Sequence, residues 1–413
     1  MDINATAGAI VELIRTGIEA EVARQIGERL PAAPEPQPVE PQPAGRRTVR
    51  AENFAELRQA IAGREEPMTI ELASGGDFDG PGLAIDGADL EIASAYPLGA
   101  RVPLKMDFAR SSRRIVLRGL DLDGPAIDWQ GEQHLIDACR ITAAGAGSYA
   151  VPIRPRRGQD CTIRRCDMTM TRSDHWQTGN YQGIVRGSGR GADETDHMLG
   201  LLIDECYIHD LPTQAAYNHP YMCAINSAMN WDSSPVHTRW HIRRSLFERC
   251  NTGDKVLEFK SSSNTAEDCE IRNSPLGSVC IRQGTNNRLI GLRMDCRKWT
   301  IHRGPGNEAL SCCWTPSTKA RGPMSGKDAW DAGSTRPPQA YRARLVDCEG
   351  DLLFGDTYGG SYPLPPVECE IWGHRGRIIE KNGTAIIHED LPPGYERREP
   401  VRLARDEVGL RAV

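Results

Sequence analysis

His241-Ile242-Arg243-Arg244-Ser245-Leu246-Phe247 is answered, Ser245 by Cys269, in Thr265-Ala266-Glu267-Asp268-Cys269-Glu270-Ile271. The same short apolar–polar core appears as Leu135-Ile136-Asp137-Ala138-Cys139-Arg140-Ile141, Thr162-Ile163-Arg164-Arg165-Cys166-Asp167-Met168, Leu202-Ile203-Asp204-Glu205-Cys206-Tyr207-Ile208 and Arg344-Leu345-Val346-Asp347-Cys348-Glu349. Looser copies run from Ile115 to Leu122 and from Leu289 to Met294. Each copy is short, is bounded by Gly, Asn, Asp or Pro, and lacks a helical period, which are strand signals. The short intervals, Ser245 to Cys269 and Cys269 to Leu292, are the length of one coil of a β-solenoid. The long ones, Cys166 to Cys206 and Cys206 to Ser245, require loops inserted into a coil, which in solenoids tend to project from one face, often the binding face. The expectation is an all-β, right-handed parallel β-helix from about residue 65 to 390, with long loops between about 170 and 240.

Cys139, Cys166, Cys206, Cys269 and Cys348 share one repeat position with Ser245 and Leu292. A position that accepts Cys, Ser and Leu is small and buried, so these thiols are expected to stack as an inward column of free cysteines. With no Cys-x-x-Cys among the 13 cysteines, a cysteine metal site lacks its spacing. The odd, unpaired complement suggests folding in a reducing cytoplasm.

The chain of 413 residues is 39% hydrophobic and 26% charged with a net charge of -6, and its 41 glycines and 28 prolines suit a turn-rich β body. It has no apolar run of membrane-spanning length, and its N-terminus does not read as a signal peptide. Ile3, Ala7, Ile10, Ile14, Ile18, Val22, Ile26 and Leu30 recur at helical steps, giving an amphipathic helix with one apolar stripe. A proline-alternating spacer follows from Pro31. The expected organisation is an anchor or oligomerisation helix at 1–30, a Pro-rich linker at 31–47, a β-helix domain at 48–395 with a capping helix at 51–62, and a C-terminal tail at 396–413.

Lys260-Ser261-Ser262-Ser263-Asn264 and Ile281-Arg282-Gln283-Gly284 place a lysine and an arginine close to one coil apart. On adjacent coils, two such side chains lie side by side on one face. With the coils and the cap segment, these two motifs resemble the polysaccharide lyase family that includes alginate lyases and chondroitinase B, pectate-lyase-like parallel β-helices. The resemblance spans roughly residues 48 to 390. Its specific part lies at about 240 to 292, where Leu246-Phe247-Glu248-Arg249-Cys250 leads into the lysine motif. It implies cleavage of uronate-containing polysaccharide by β-elimination, with Lys260 as Brønsted base and Arg282 as acid, in many members beside a calcium ion that neutralises the sugar carboxylate.

The residue types suit that chemistry. The proton α to a carboxylate becomes acidic once the carboxylate charge is neutralised. The base must be neutral, and a lysine crowded by Lys255 and Arg282 gives up its proton more readily. Arginine keeps its proton, with a pKa above ~12, so Arg282 either acts as the acid or polarises the leaving oxygen. Both residues also have a plain alternative as solvated side chains on adjacent coils.

The resemblance implies acidic calcium ligands on the coil before the lysine and an asparagine nearby. Here Lys255 falls about where an acid is usual, leaving Asp254 and Glu258 for a metal. No cofactor is fixed by the sequence: calcium held by those two acids, an ammonium in its place, and lost catalysis all stay open. Gln283, where the family often has histidine, is a substrate-contact candidate. Basic residues gather at Arg154, Arg156, Arg157, Arg164, Arg165, Arg243, Arg244 and Arg249. A groove for an acidic polysaccharide follows, with Arg243 and Arg244 as contacts. Tyr217 and His219, and more weakly Trp231, His237, Trp299 and His302, are candidates to meet sugar rings. A nucleic-acid partner is disfavoured by the negative net charge and the lack of a module pattern.

Two function classes compete: a lyase, and a spike that holds surface or capsular polysaccharide without cutting it. Lack of an export signal, free cysteines and the helix-plus-linker N-terminus together suggest a phage-like particle released by lysis. The protein would then be virion-associated or extracellular after lysis, attached to a particle protein through residues 1–30 and trimeric as spikes often are. Alginate, glycosaminoglycan and capsule are not distinguished.

Overall fold

In the computed structural model the described residues are 46–64, 67–123, 127–144, 152–171, 182–189, 191–211, 222–228, 233–251, 255–324, 340–356 and 364–410. They form a right-handed parallel β-helix. Fourteen short strands, from Arg47–Asn53 to Ile386–His388, make one parallel sheet, and nineteen more make a second hydrogen-bonded set. A coil contributes up to three strands. In one coil these are Leu135–Asp137, Arg140–Ala144 and Ile153–Gln159, the first belonging to the 14-stranded sheet and the others to the second set. In the coils of Glu270–Ile281 and Arg293–Ile301 the second and third strands merge into one.

The corners explain the repeat. A residue in the left-handed region stands just before the strand of the 14-stranded sheet (Gln133, Asp160, Arg239, Ser263, Asn286) and another just after it (Ala138, Arg165, Glu205, Arg244, Asp268), with Gly119 and Gly291 in the second role. Each turns the chain sharply and leaves the next side chain pointing inward. After the second corner that side chain is the cysteine column. Cys139, Cys166, Cys206, Cys269 and Cys348 are all free and at most 1% exposed, and the column's carbonyls carry the ladder from Asp167 N–H to Cys139 O through Arg375 N–H to Cys348 O. Cys312 also belongs to it, bonded through its carbonyl to Glu349 N–H. The repeat conceals Ala309-Leu310-Ser311-Cys312 because the coil from Leu292 to Cys312 is shorter than those before it. After the first corner the interior carries Asn264, Asn287 and Asn307. Each asparagine's Oδ1 accepts the backbone N–H of the one before it, at 3.0 and 2.9 Å.

The expected cap differs in its bounds. Residues Arg47–Asn53 are a strand paired with Met68–Asp77, so the 48–395 domain starts within the expected linker. The helix is Phe54–Ala62 rather than 51–62. Asn53 ends the strand and caps the helix, its Oδ1 accepting Glu56 N–H at 3.0 Å while the Glu56 carboxylate accepts Glu52 N–H at 2.7 Å. Leu57 is fully buried against the core with Phe54, Ala60 and Ile61 around it, which covers the first coil. The expected helix at 1–30 and the linker up to residue 45 lie outside the described residues.

Residues 396–410 are not a loose tail. Arg397 meets Asp347 at 3.1 Å, Arg398 meets Glu267 and Asp268, Leu403 N–H donates to Glu270 at 2.8 Å, and Arg405 meets Asp167 at 2.7 Å. The segment therefore travels back across the coils, against the direction in which they were laid down. Leu403 and Val408 pack on Tyr207 and Leu246 in a small apolar cluster of their own.

Candidate functional site

Lys255–Phe259, buried at all five positions, lies in the third face of the coils beside Met222–Asn226 on one side and the end of Glu270–Ile281 on the other. Strand register puts one row of residues in line across six coils: Arg186, Asn226, Glu258, Cys280, Thr300 and Arg321. Glu258 is the acid in that row. It is 3% exposed, and its Oε2 accepts a hydrogen bond from Asn226 Nδ2 at 2.8 Å and lies 3.2 Å from Lys260 Nζ. Asn226 Oδ1 accepts Ala228 N–H at 3.0 Å, fixing which end of the amide faces the carboxylate. Burial alone would raise the Glu258 pKa, but the charges of Lys260, Lys255 and Arg282 overcome it and hold the carboxyl down at about 2.

The turn that presents Lys260 is rigid. Lys260 N–H donates to Ser227 Oγ at 3.1 Å, Ser261 Oγ to the same oxygen at 2.8 Å, and Ser262 Oγ to Ser234 O at 2.6 Å. Asn264 Nδ2 donates to Ser261 O at 3.0 Å. The next coil closes on this turn: Gln283 Nε2 donates to Lys260 O at 3.1 Å, and Gly284, at φ +89°, approaches so closely that a Cβ there would sit 2.2 Å from Ser261 O. The Ser-Ser-Ser-Asn and Gln-Gly parts of the two motifs are thus structural, and they position the lysine and the arginine. Gln283, fully buried, is corrected from a substrate contact to part of that frame.

Arg282 follows directly on Ile281, which pairs with Phe259 and Ile301, so the structure does bring Lys255, Lys260 and Arg282 together around Glu258. Beside Arg282 on the following coil is His302, 5% exposed. Burial first, then the charges of Arg282, Arg303, Lys255 and Lys298, keep its imidazole neutral far below the ordinary histidine range. His302 and Trp299, expected at the surface, are both inside; Trp299 is fully buried against Trp314, ring centroids 5.0 Å apart.

Arg243 and Arg244 belong elsewhere. They lie on and after His241–Arg243 in the 14-stranded sheet, where Asp204 accepts from Arg243 at 3.0 Å and from Arg244 at 2.8 to 3.1 Å. One register row in that sheet reads Arg118, Asp137, Arg164, Asp204, Arg243, Glu267, an alternation of charge that neutralises itself. Arg164 and Arg165 likewise clamp the fully buried Asp137. The basic groups expected to form a polysaccharide groove are therefore ion pairs of the fold. Tyr217, His219, Trp231 and Asp254 lie outside the described residues.

Calcium takes six to eight oxygen ligands. Among the described residues, the groups near Glu258 are two ammoniums, a guanidinium, the NH2 end of Asn226 and the Cys223 thiol at 3.6 Å, and no group of three His, Cys, Asp or Glu that could hold a metal occurs there. These residues do not fit calcium. Asn226 and Arg186 escape the sequence because the insertions before their strands obscure the repeat, and the register row exposes them. His302 reads in the sequence as a surface contact, and its place beside Arg282 follows from the pairing of Ile281 with Ile301.

The backbone defines the class as a right-handed parallel β-helix. No family model matches the chain, and no curated protein matches it. Solved structures share the fold. The PL6 family alginate lyase AlyGC aligns with a TM-score of 0.64 at 11% identity over 85% of this chain and 53% of its own, so this chain spans about half its length. A mannuronic acid specific polysaccharide family 6 lyase from human gut microbiota aligns at 0.61, with 12% identity, over 81% of this chain and 82% of that one. The PL6 family polysaccharide lyase Pedsa3628 from Pseudopedobacter saltans aligns at 0.59, with 13% identity, over 89% and 100%.

Proposed function

We propose that the protein binds a uronate-containing acidic polysaccharide and cleaves it by β-elimination. The observation that carries this reading is the gathering of Lys255, Lys260 and Arg282 on adjacent coils about the buried carboxylate of Glu258. The likeness of the fold to solved alginate lyases supports it.

In this reading a sugar carboxylate enters beside Lys255 and Arg282, whose charges stabilise the carbanion-like state that develops when the neighbouring C–H is deprotonated. Lys260, cationic in its resting pair with Glu258, first gives its ammonium proton to solvent, and the amine so formed takes the proton from carbon. The electron pair left behind forms the new C=C bond as the glycosidic C–O bond on the adjacent carbon breaks. Arg282 N–H groups hold the departing oxygen, which leaves as a hydroxyl on receiving from Lys260 the proton that lysine took from carbon, so the base returns to its neutral form. Glu258 balances the cations before substrate arrives and keeps Lys260 against the strand.

The test is a panel of uronate polymers followed by absorbance of the unsaturated product. Wild type should form product, and a chelator should leave the rate unchanged. Lys260→Ala should lower the rate by about 10²- to 10⁴-fold with polymer binding nearly intact, since losing a base removes transition-state help rather than ground-state contacts. Abolition by chelator would restore calcium to the site.

A second reading is favoured by the ion pair itself, because a lysine held 3.2 Å from a buried carboxylate is also what a binding site needs. The protein would then be a capsule-binding spike of a phage-like particle, trimeric and attached through residues 1–30. Retention of polymer with no unsaturated product from any uronate polymer would select it.

A further inference from the structure

Beyond Lys260 along the same face is a pocket of about 200 Å³ lined by Arg297, Lys298, Lys319 and Arg321, together with Cys296 and Pro275. Among the described residues, none that lines it is acidic. The register that makes it is unusual for a sheet: Lys298 pairs directly with Lys319, and Thr300 with Arg321. Like charges directly opposite each other destabilise a sheet. The same molecule avoids this in its 14-stranded sheet, where arginine and carboxylate alternate coil by coil. Stacking like charges costs free energy, and an anion seated among them would offset part of that cost. Asp356 meets Arg321 Nε at 3.0 Å, and Asp295 accepts from Ser317 at the pocket's edge at 3.4 Å, so cationic side chains outnumber the carboxylates beside them. Burial, with the charge of Lys255 adding to it, pushes Lys298 down to about 8, as expected of an ammonium drawn out of water.

We propose that this pocket is a second anion subsite, which takes a carboxylate or sulfate carried by another sugar of the polymer engaged at Lys260. The proposal rests on the polysaccharide reading above. From Lys255–Phe259 to Lys319–Arg321 there are three strand-to-strand steps, through Glu270–Ile281 and Arg293–Ile301. At about 4.8 Å each that is roughly 14 Å, longer than one sugar ring. The ligand must therefore be an oligomer lying along the solenoid axis, crossing the strands and presenting more than one negative charge. Binding at this subsite should weaken as pH rises through about 8, where Lys298 of the ligand-free protein loses its charge.

The experiment measures binding of unsulfated oligouronates of two and six sugars by calorimetry, and acylation rates of Lys298 and Lys319 by mass spectrometry, on the full chain. In wild type the hexamer should slow acylation of both lysines, and the dimer should not slow both. Lys319→Gln should weaken the hexamer about fivefold and leave the dimer unchanged. A sulfated uronate oligomer run in parallel identifies the anion: tighter binding than the unsulfated hexamer, lost in Lys319→Gln, assigns the pocket to sulfate, and equal binding assigns it to carboxylate. Hexamer affinity and labelling rates that do not respond to Lys319→Gln or to ligand overturn the proposal. Protection by inorganic sulfate without protection by any oligomer also overturns it, as an adventitious ion only. Product formation on the same samples reports on the lyase reading separately, so an inactive protein that still shows the length-dependent protection retains the subsite and loses only the chemistry.

Discussion

Glu258 is the residue on which the site depends. Its carboxylate is buried and faces three cations, so Glu258→Gln would remove the negative charge 3.2 Å from Lys260 that Lys255 and Arg282 also face. Removing one partner of a buried pair is costly, about 3 kcal/mol or more, and the expected result is a fall of that order in urea-unfolding stability at pH 7. The sign of its pH dependence follows from a pKa held below the ordinary carboxylate value. The stabilisation is present above about 4.5 and is lost as pH falls toward about 2. His134 works at milder pH. Its Nδ1 accepts Ile115 N–H at 3.0 Å and its Nε2 meets Gln130 O at 2.8 Å, an arrangement that requires the neutral ring. Burial lowers its pKa from 6.5 to about 4, so the unfolded chain takes up a proton first as pH falls. Stability should drop between pH 6.5 and 4 by roughly 3 kcal/mol at most, and His134→Gln should flatten that slope in urea titrations. At this scale the sequence places Lys260 and Arg282 on adjacent coils, because their spacing matches a coil, and the pairing of Phe259 with Ile281 puts them there. It does not disclose what surrounds them, since Asn226 and His302 become neighbours only through strand pairing.

Among the elements, the turn that carries Lys260 is held by the asparagine ladder as well as by its own serines. Asn287 Oδ1 accepts both Asn264 N–H and Asn264 Nδ2, at 3.0 and 2.9 Å, and Asn287 Nδ2 reaches Gln283 O at 3.3 Å. Asn287→Ala strands two buried donors at about 1 to 3 kcal/mol each. The expected outcome is a loss of roughly 3 kcal/mol and faster hydrogen exchange in Lys260 to Asn264. The strands of the 14-stranded sheet are legible from their repeated core, and so is the cysteine column. The arginines mislead for a physical reason: in the sequence Arg164 and Arg243 cluster with other bases, whereas in the sheet each faces Asp137 or Asp204 from a neighbouring coil. The alternation of Asp and Arg at one repeat position is the available signal.

The whole molecule has a solenoid's weakness, since each coil touches only its neighbours and stability adds up locally. Residues 396–410 depart from that plan. Arg405 pairs with Asp167 across 238 positions of sequence and lies over the Tyr207 ring at 3.7 Å. No periodicity announces such a segment, so it reads as a tail. Deleting residues 396–413 should uncover Tyr207 and Leu246 and speed amide exchange in Tyr207–His209 and Leu246–Glu248, while the strands near Arg47 stay protected.

Order of synthesis gives that returning segment a further consequence. Coils can pack one on another as they emerge from the ribosome, each completed by the next, but the segment that crosses back over them is translated after the last coil. Its docking points, from Asp347 through Glu270 to Asp167, span coils made early and coils made late. It can seat fully only when those coils are present and in register, so a slipped or missing coil leaves its partners mismatched. Closure of the segment therefore depends on register: during refolding from urea, a protease should cut at 396–410 until the coils that carry Asp347, Glu270 and Asp167 have all stacked.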